Sequence, residues 1–219
     1  MKLLLASFAL CACGIASAAD VWLFDVFADK RALGQHRFEV DVSQETTTVL
    51  SQADFKVKAL FVEVFSYEHE NREQWADGCL VSYDALTDTE GETIASSGSA
   101  GDGSFTTNVN DEITRHETGC ASTFAYWNPA ILSATELFNP QTGELEPVVV
   151  EPLGEDTVET PQGPISAQRY RLNLEEGQID VWYTEPERTW VALQSQTPGE
   201  RTIRYVPAAW PKSFTPVSP

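Results

Sequence analysis

The sequence predicts a mostly β protein: a single curved antiparallel sheet, half-barrel or open barrel, of ten to twelve strands with one short helix. Three observations carry that expectation. Apolar and polar residues alternate with period two along most of the chain. Turn residues interrupt the alternation at hairpin spacing. Helix-start chemistry stands out at one place, after Asn128.

The elements follow in order. Val21 to Phe27 is a mixed apolar run. After Gly34, His36, Phe38, Val40 and Val42 alternate with Arg37, Glu39 and Asp41, which predicts a hairpin with one wet face. Thr46 to Leu50 is β-branched. Phe55 to Tyr67 predicts one long strand, apolar on both faces in its middle and therefore covered on both sides. Glu70-Asn71-Arg72 predicts a turn, and Gln74 to Tyr83 a returning strand with a bulge at Gly78. Turns are expected at Asp88–Gly91 and Gly98–Gly103, with short strands near Thr93 and Phe105. Asn128-Pro129 has the form of an N-cap followed by proline at the first helical position, and predicts a helix through Phe138 that Asn139-Pro140 stops. Val148–Val150, Ala167–Leu172, Ile179–Tyr183, Trp190–Leu193 and Thr202–Val206 are short strands at meander spacing.

The ends differ in character. Met1-Lys2, an apolar run from Leu3 to Ile15 and Ala16-Ser17-Ala18 form the three regions of an export signal. The run falls short of the roughly 20 apolar residues that cross a bilayer, and no later stretch is long enough. Cleavage is expected after Ala18, with Ala19 as the alternative. Leu10-Cys11-Ala12-Cys13 also resembles a lipobox, so lipid anchoring through Cys13 is the alternative to a free periplasmic or secreted chain. The division expected is a signal over 1–18, one β domain over 19–206 and a Pro-rich segment over 207–219. That last segment holds four prolines with Trp210 and Phe214 among them. It is either a frayed tail or a strap whose aromatics pack on the sheet.

The mature chain is long enough to bury a core without metals or dense disulfides. Its formal charge moves from −19 to −20 when Lys2 leaves with the signal. Such a charge repels phosphate backbones and argues against a nucleic-acid partner. Two of four cysteines also leave. Cys79 and Cys120 remain, and in an oxidising compartment they predict one disulfide; two free buried thiols are the competing reading.

No catalytic motif is legible: neither a nucleophile elbow nor a phosphate-binding glycine loop occurs. The three histidines are His36, His69 and His116. His69 with Glu70 and Glu73, and His116 with Glu117, come nearest to acid–base or metal groups, but their spacing fits no zinc signature. Both lie beside expected turns, where a solvated imidazole is the ordinary outcome. No catalytic residue, metal ligand or cofactor is assigned. The aromatics Trp75, Tyr83, Phe124, Tyr126, Trp127, Tyr170, Trp182, Tyr183 and Trp190 are either core or the lining of an apolar cavity.

The landmarks together resemble a known group. Glu73-Gln74-Trp75-Ala76-Asp77-Gly78-Cys79-Leu80, Thr87-Asp88 with Gly91, Phe124-Ala125-Tyr126-Trp127-Asn128-Pro129, Asn139-Pro140-Gln141-Thr142-Gly143-Glu144-Leu145, Tyr170-Arg171-Leu172 and Ile179-Asp180-Val181-Trp182-Tyr183 resemble a family of uncharacterised bacterial exported (periplasmic) proteins of unknown function. The resemblance covers most of the mature chain. It implies kinship in fold with lipoprotein-localisation factors, envelope proteins that hold acyl chains in a half-barrel, which is a fold-level analogy. It designates no ligand-contacting residue. Three functions follow as expectations: a binding or carrier module for an apolar, lipid-like molecule, an envelope structural or protein-interaction domain with a filled core, and, least supported, a hydrolase.

Overall fold

The computed structural model describes residues 19–43, 45–59, 62–196 and 201–211. The expected export signal, Cys13 and Phe214 lie outside the described residues. Fifteen strands are described: β1 Asp20–Ala28, β2 Arg31–Ser43, β3 Thr46–Ala59, β4 Val62–Ala76, β5 Cys79–Thr89, β6 Glu92–Gly101, β7 Ser104–Val109, β8 Glu112–His116, β9 Glu136–Phe138, β10 Leu145–Pro147, β11 Val149–Val158, β12 Ile165–Asn173, β13 Gln178–Tyr183, β14 Trp190–Gln196 and β15 Thr202–Ala209.

Thirteen of these strands form one antiparallel sheet, in the order β11-β12-β13-β14-β15-β1-β2-β3-β4-β5-β6-β7-β8. The count exceeds the expected ten to twelve; the class is as expected. Two up-and-down meanders, β1–β8 and β11–β15, are joined where β15 pairs antiparallel with β1, Val26 facing Tyr205. The sheet does not close: β8 and β11 are its two edges. Register shifts at Leu23/Phe24, Val26/Phe27, Val57/Lys58 and Gln74/Trp75 place bulges in the middle of the sheet, and such bulges bend a strand and increase its twist.

The turns between β4 and β8 share one chemistry. Asp77–Gly78, Glu90–Gly91, Asp102–Gly103 and Asn110–Asp111 each place two successive residues at positive φ. That is the requirement of a two-residue type I′ turn, whose twist matches the flanking strands. Gly78 is therefore part of a hairpin turn and not a strand bulge. Gly98 is not in a turn either. It lies inside β6, where a Cβ would come within 2.4 Å of both the Tyr83 and Phe105 rings. Its missing side chain lets those rings stack, with centroids 6.2 Å apart.

Three further expectations change. The single strand over Phe55–Tyr67 is two, β3 and β4, which pair with Val57 facing Phe65. The turn at Glu70-Asn71-Arg72 is instead the middle of β4, in register between Gln52-Ser51-Leu50 and Leu86-Ala85-Asp84. The helix over Pro129–Phe138 is a five-residue 3-10 turn, Pro129–Ser133. Its start is as expected: Asn128 Oδ1 accepts from the Ala130 N–H at 3.0 Å, and proline follows. It ends early because Leu137 and Phe138 are fully buried in β9, which pairs with β10, while the Phe138 ring meets Phe105 at 4.8 Å. Burying those two side chains outweighs a few residues of helix propensity.

The core lies between the sheet and the connection that crosses it. Segment 117–148 carries the chain from the β8 edge to the β11 edge and holds the 3-10 turn and the β9–β10 hairpin. Its Ala121, Ala125, Trp127, Ile131, Leu137 and Phe138 pack with Trp22, Phe24, Phe38, Trp75, Tyr83 and Phe105 of the sheet. Cys79 and Cys120 are joined in a disulfide, and Leu80 N–H donates to Ala121 O at 2.8 Å beside it, so the start of the crossing is fastened to β5. A second cluster, Val158, Ala167, Trp182, Val191 and Ala192, lies outside the main core. β15 runs on through Pro207 to Ala209, and Trp210 packs half-buried against both clusters.

Candidate functional site

Inward-facing residues of β2, β3 and β4 lie in rows across the sheet. His36 faces Ala53, which faces His69; Phe38 faces Ser51, which faces Asn71; Val40 faces Val49, which faces Glu73. The small Ser51 at the centre leaves space between larger neighbours. The crossing segment bridges that space without filling it.

The result is a half-open cavity of about 830 Å3. His36, Phe38, Val49, Ser51, His69, Asn71 and Glu73 line it from β2–β4, and Ile179, Leu193, Ser195, Ile203 and Tyr205 from the second meander. Phe124–Trp127 and residues 139–146 of the crossing form its roof, with Leu174-Glu175-Glu176 of the β12–β13 turn at its mouth. The roof is held by specific contacts. Tyr126 lies 5.3 Å from the Trp190 ring, Tyr183 Oη donates to Tyr126 O at 2.7 Å, and Trp127 meets Trp75 edge-on at 5.5 Å.

Glu73, in the cavity wall, is buried. Its carboxylate accepts from Asn71 Nδ2 at 2.9 Å, Thr123 Oγ1 at 2.8 Å and Trp75 Nε1 at 2.8 Å. Burial raises its pKa above the ordinary carboxylate range, and the three donors oppose that rise. Because Asn71 spends its amide N–H on Glu73, its Oδ1 is turned away, and that oxygen has no hydrogen-bond partner among the described residues. Asn71 is only 5% exposed.

His36 Nε2 lies 2.7 Å from Ser51 Oγ, and its Nδ1 lies 3.1 Å from Tyr205 Oη. Its ring stacks on Phe38 at 4.1 Å. Burial, with repulsion from His69 added, pushes the His36 pKa down to about 3. His69 is 7% exposed, shares a hydrogen bond with Thr87 Oγ1 at 2.9 Å, and is pushed by burial down to about 4. Both imidazoles are neutral at neutral pH. The His36–Ser51 contact has the geometry of a base beside a hydroxyl. A general base works best with a pKa near the operating pH, and His36 lies far below it. Held between Ser51 and Tyr205, it fits the part of a neutral hydrogen-bonding group in the wall.

His69 thus sits in the cavity wall and not beside a turn, but Glu73 does not pair with it. His116 is apart from the cavity, at the end of β8, 3.2 Å from Thr107 Oγ1 and edge-on to Phe138. No group of three His, Cys, Asp or Glu that could hold a metal ion occurs among the described residues. Of the aromatics singled out in the sequence, Phe124, Tyr126 and Trp127 line the cavity, whereas Trp75, Tyr83, Tyr183 and Trp190 are core. Sequence reasoning missed Ser51, Asn71 and Tyr205 altogether and gave His36 no role beyond its strand. A signal was present: His69, Asn71, Glu73 and Trp75 recur with period two, a strand pattern whose inward face is polar.

Residues 24–208 match the model of a family described as a domain of unknown function, DUF6134. No protein of curated function matches the chain. With the match extending from β1 to β15, the chain belongs to the DUF6134 family.

Proposed function

We propose that this protein is an exported, non-catalytic binding domain that holds one small, largely apolar molecule between its curved sheet and the crossing segment. The cavity carries the reading. Its volume lies within the roughly 300–1,000 Å3 typical of small-molecule sites, and its lining combines apolar side chains with a larger number of polar ones. Phe38, Val49, Phe124, Ile179, Leu193 and Ile203 supply the apolar surface, and the row from His36 to Asn71 supplies the polar groups. The polar row favours an amphipathic ligand over bare hydrocarbon, since burying such groups against an alkyl chain leaves them unpaired. Work outside the cytoplasm, with residues 1–18 removed as a signal and the strap expected over 207–219 beginning only after β15, at Trp210, is supported by the pattern of the leader, by the disulfide and by the packing of Trp210.

Titration of the mature chain with the neutral fluorophore N-phenyl-1-naphthylamine tests the reading. Saturable enhancement of emission is expected, and Ser51→Phe, which fills the centre of the cavity, should abolish it while circular dichroism stays unchanged. No enhancement, or an equal one in Ser51→Phe, would rule the reading out.

The second reading, an envelope protein-interaction domain, draws on the two sheet edges. Ile113 of β8 and Val149 of β11 are 69% and 68% exposed on strands with an unpaired side. Crosslinking from cysteines placed at these two positions in envelope extract tests it; absence of any adduct at both edges counts against it.

A further inference from the structure

We propose that the ligand of this cavity is uncharged and carries one oxygen group, a hydroxyl or a carbonyl, which docks on the wall between His69 and the Ser51–His36–Tyr205 chain. This rests on the binding reading above and specifies the ligand.

His69 has one ring nitrogen unmatched. Its Nδ1 is taken up by Thr87 Oγ1 at 2.9 Å, and its Nε2 has no hydrogen-bond partner among the described residues. The residue is 7% exposed and lines the cavity. Nε2 keeps accessible surface there, as the sealed Asn71 oxygen does not. A neutral imidazole nitrogen in that place pairs with a donor or an acceptor, according to the tautomer.

The Ser51–His36–Tyr205 chain has one donor too many. It holds two hydrogen bonds, one at each nitrogen of His36. Three donors are present: two hydroxyls and the single N–H of a neutral imidazole. If Nε2 carries the proton, it donates to Ser51, Tyr205 donates to Nδ1, and the Ser51 O–H is left over. If Nδ1 carries it, the Tyr205 O–H is left over. Both residues line the cavity, and neither hydroxyl makes another hydrogen bond among the described residues. In either tautomer one O–H therefore remains for a ligand oxygen. His36 and His69 flank Ala53 in register, with Ser51 next along the same inward face, so the two open positions are neighbours. An unpaired polar atom in a buried wall is costly, and a ligand oxygen recovers that cost.

Nothing in the wall calls for a charge. No Lys or Arg is among the lining residues to pair an anion, and both imidazoles are neutral at neutral pH. Glu73 is already met by three donors, and Glu146 by Asn139 Nδ2 at 2.8 Å. Glu144, Glu175 and Glu176 lie exposed at the mouth. A hydroxyl or carbonyl fills the open positions without the desolvation of an ion. Phe38, Val49 and Tyr126 offer the surface on which the apolar body rests.

Five eight-carbon compounds, below micelle formation, test this by displacing N-phenyl-1-naphthylamine from the mature chain. 1-Octanol and 2-octanone are expected to displace it at lower concentration than octanoate or octylammonium, and the tighter of the two identifies the oxygen group. 1-Chlorooctane, which has no oxygen, is the reference for apolar burial. Relative to it, the concentrations of octanol and octanone needed should rise about tenfold in Ser51→Ala/His69→Phe, which removes the Ser51 hydroxyl and the open ring nitrogen. His69→Phe alone should give part of that rise, and circular dichroism checks the fold of both variants. Octanoate or octylammonium as effective as octanol on the parent chain overturns the proposal and leaves the binding reading standing. An unchanged ratio to chlorooctane in the folded variants, or binding of the fluorophore with no displacement by any of the five, does the same. If the fluorophore itself does not bind, both readings fall.

Discussion

Thr123 Oγ1 donates to Glu73 Oε1 at 2.8 Å, across 50 residues of sequence, and so ties the crossing segment to the inward face of β4. The same carboxylate holds Asn71 and the Trp75 indole, making it the hub through which roof and sheet are joined. Thr123→Val is expected to lower the unfolding free energy by about 1.5–3 kcal/mol, the usual worth of a hydrogen bond to a charged group. Glu73→Ala should cost more, because it strands three buried donors at once. Urea unfolding measures both; equal and negligible costs would show that the hub holds nothing.

Acid should destabilise the fold progressively below pH 6.5. Each imidazole titrates near 6.5 when unfolded, but His36 is pushed down to about 3 and His69 to about 4. The unfolded chain therefore binds more protons between those values. The stability these groups contribute is complete above pH 6.5 and is lost as pH falls toward 3. The slope is up to about 1.4 kcal/mol per pH unit for each histidine. Glu73, raised above its ordinary 4.5, works the other way in the window just above that value and partly offsets the slope. Urea midpoints from pH 7.5 to 4.5 should fall, and His69→Gln should flatten the curve; a flat profile in the parent chain contradicts the burial of both rings.

The Cys79–Cys120 bridge closes a loop of 41 residues. On the chain-entropy model that is worth about 4 kcal/mol. The double variant Cys79→Ser/Cys120→Ser, or reduction of the parent chain, should lower the unfolding free energy by an amount of that order. The roof of the cavity should loosen with it, read as faster hydrogen exchange over 121–128. Unchanged exchange there would mean that Glu73 and the aromatic contacts hold the roof alone.

Asp180 of β13 is buried and takes ion pairs from both Arg169 and Arg171 of β12. Burial alone would raise its pKa, but the two guanidiniums outweigh burial and hold it below the ordinary range. The stability it contributes is present above about pH 4 and is lost as pH falls further. Arg169 also stacks on Trp182 with 4.9 Å between guanidinium and ring, beside the outer cluster. Asp180→Asn should cost about 2 kcal/mol, less than a fully buried pair because both arginines reach solvent. The loss should vanish under strong acid, where the parent carboxylate is protonated too.

Legibility in the sequence followed local chemistry. Val21–Phe27, the alternation from His36 to Val42 and the meander from Tyr170 onward were readable because one side of each strand is apolar. β4 was not, because its inward face changes from Phe65 and Tyr67 to His69, Asn71 and Glu73 before returning to Trp75. A polar run beside Arg72 has the composition of a turn, and only the pairing of fourteen of the fifteen β4 residues with β3 makes it a strand. The candidate site was hidden for that same reason.

Period-two alternation and spaced turns determined by themselves a mostly antiparallel β chain, and Cys79 and Cys120 made one disulfide the expectation. These are properties of neighbouring residues, and local stereochemistry expresses them directly. Only the tertiary structure decided that β15 pairs with β1, that the sheet stays open, and that segment 117–148 roofs its inner face. Those outcomes depend on contacts between residues some 50 to 180 apart, such as Thr123 with Glu73 and Val26 with Tyr205. The cavity belongs with them: it opens at Ser51, a small residue among larger side chains from other strands, a coincidence that no single stretch of sequence records.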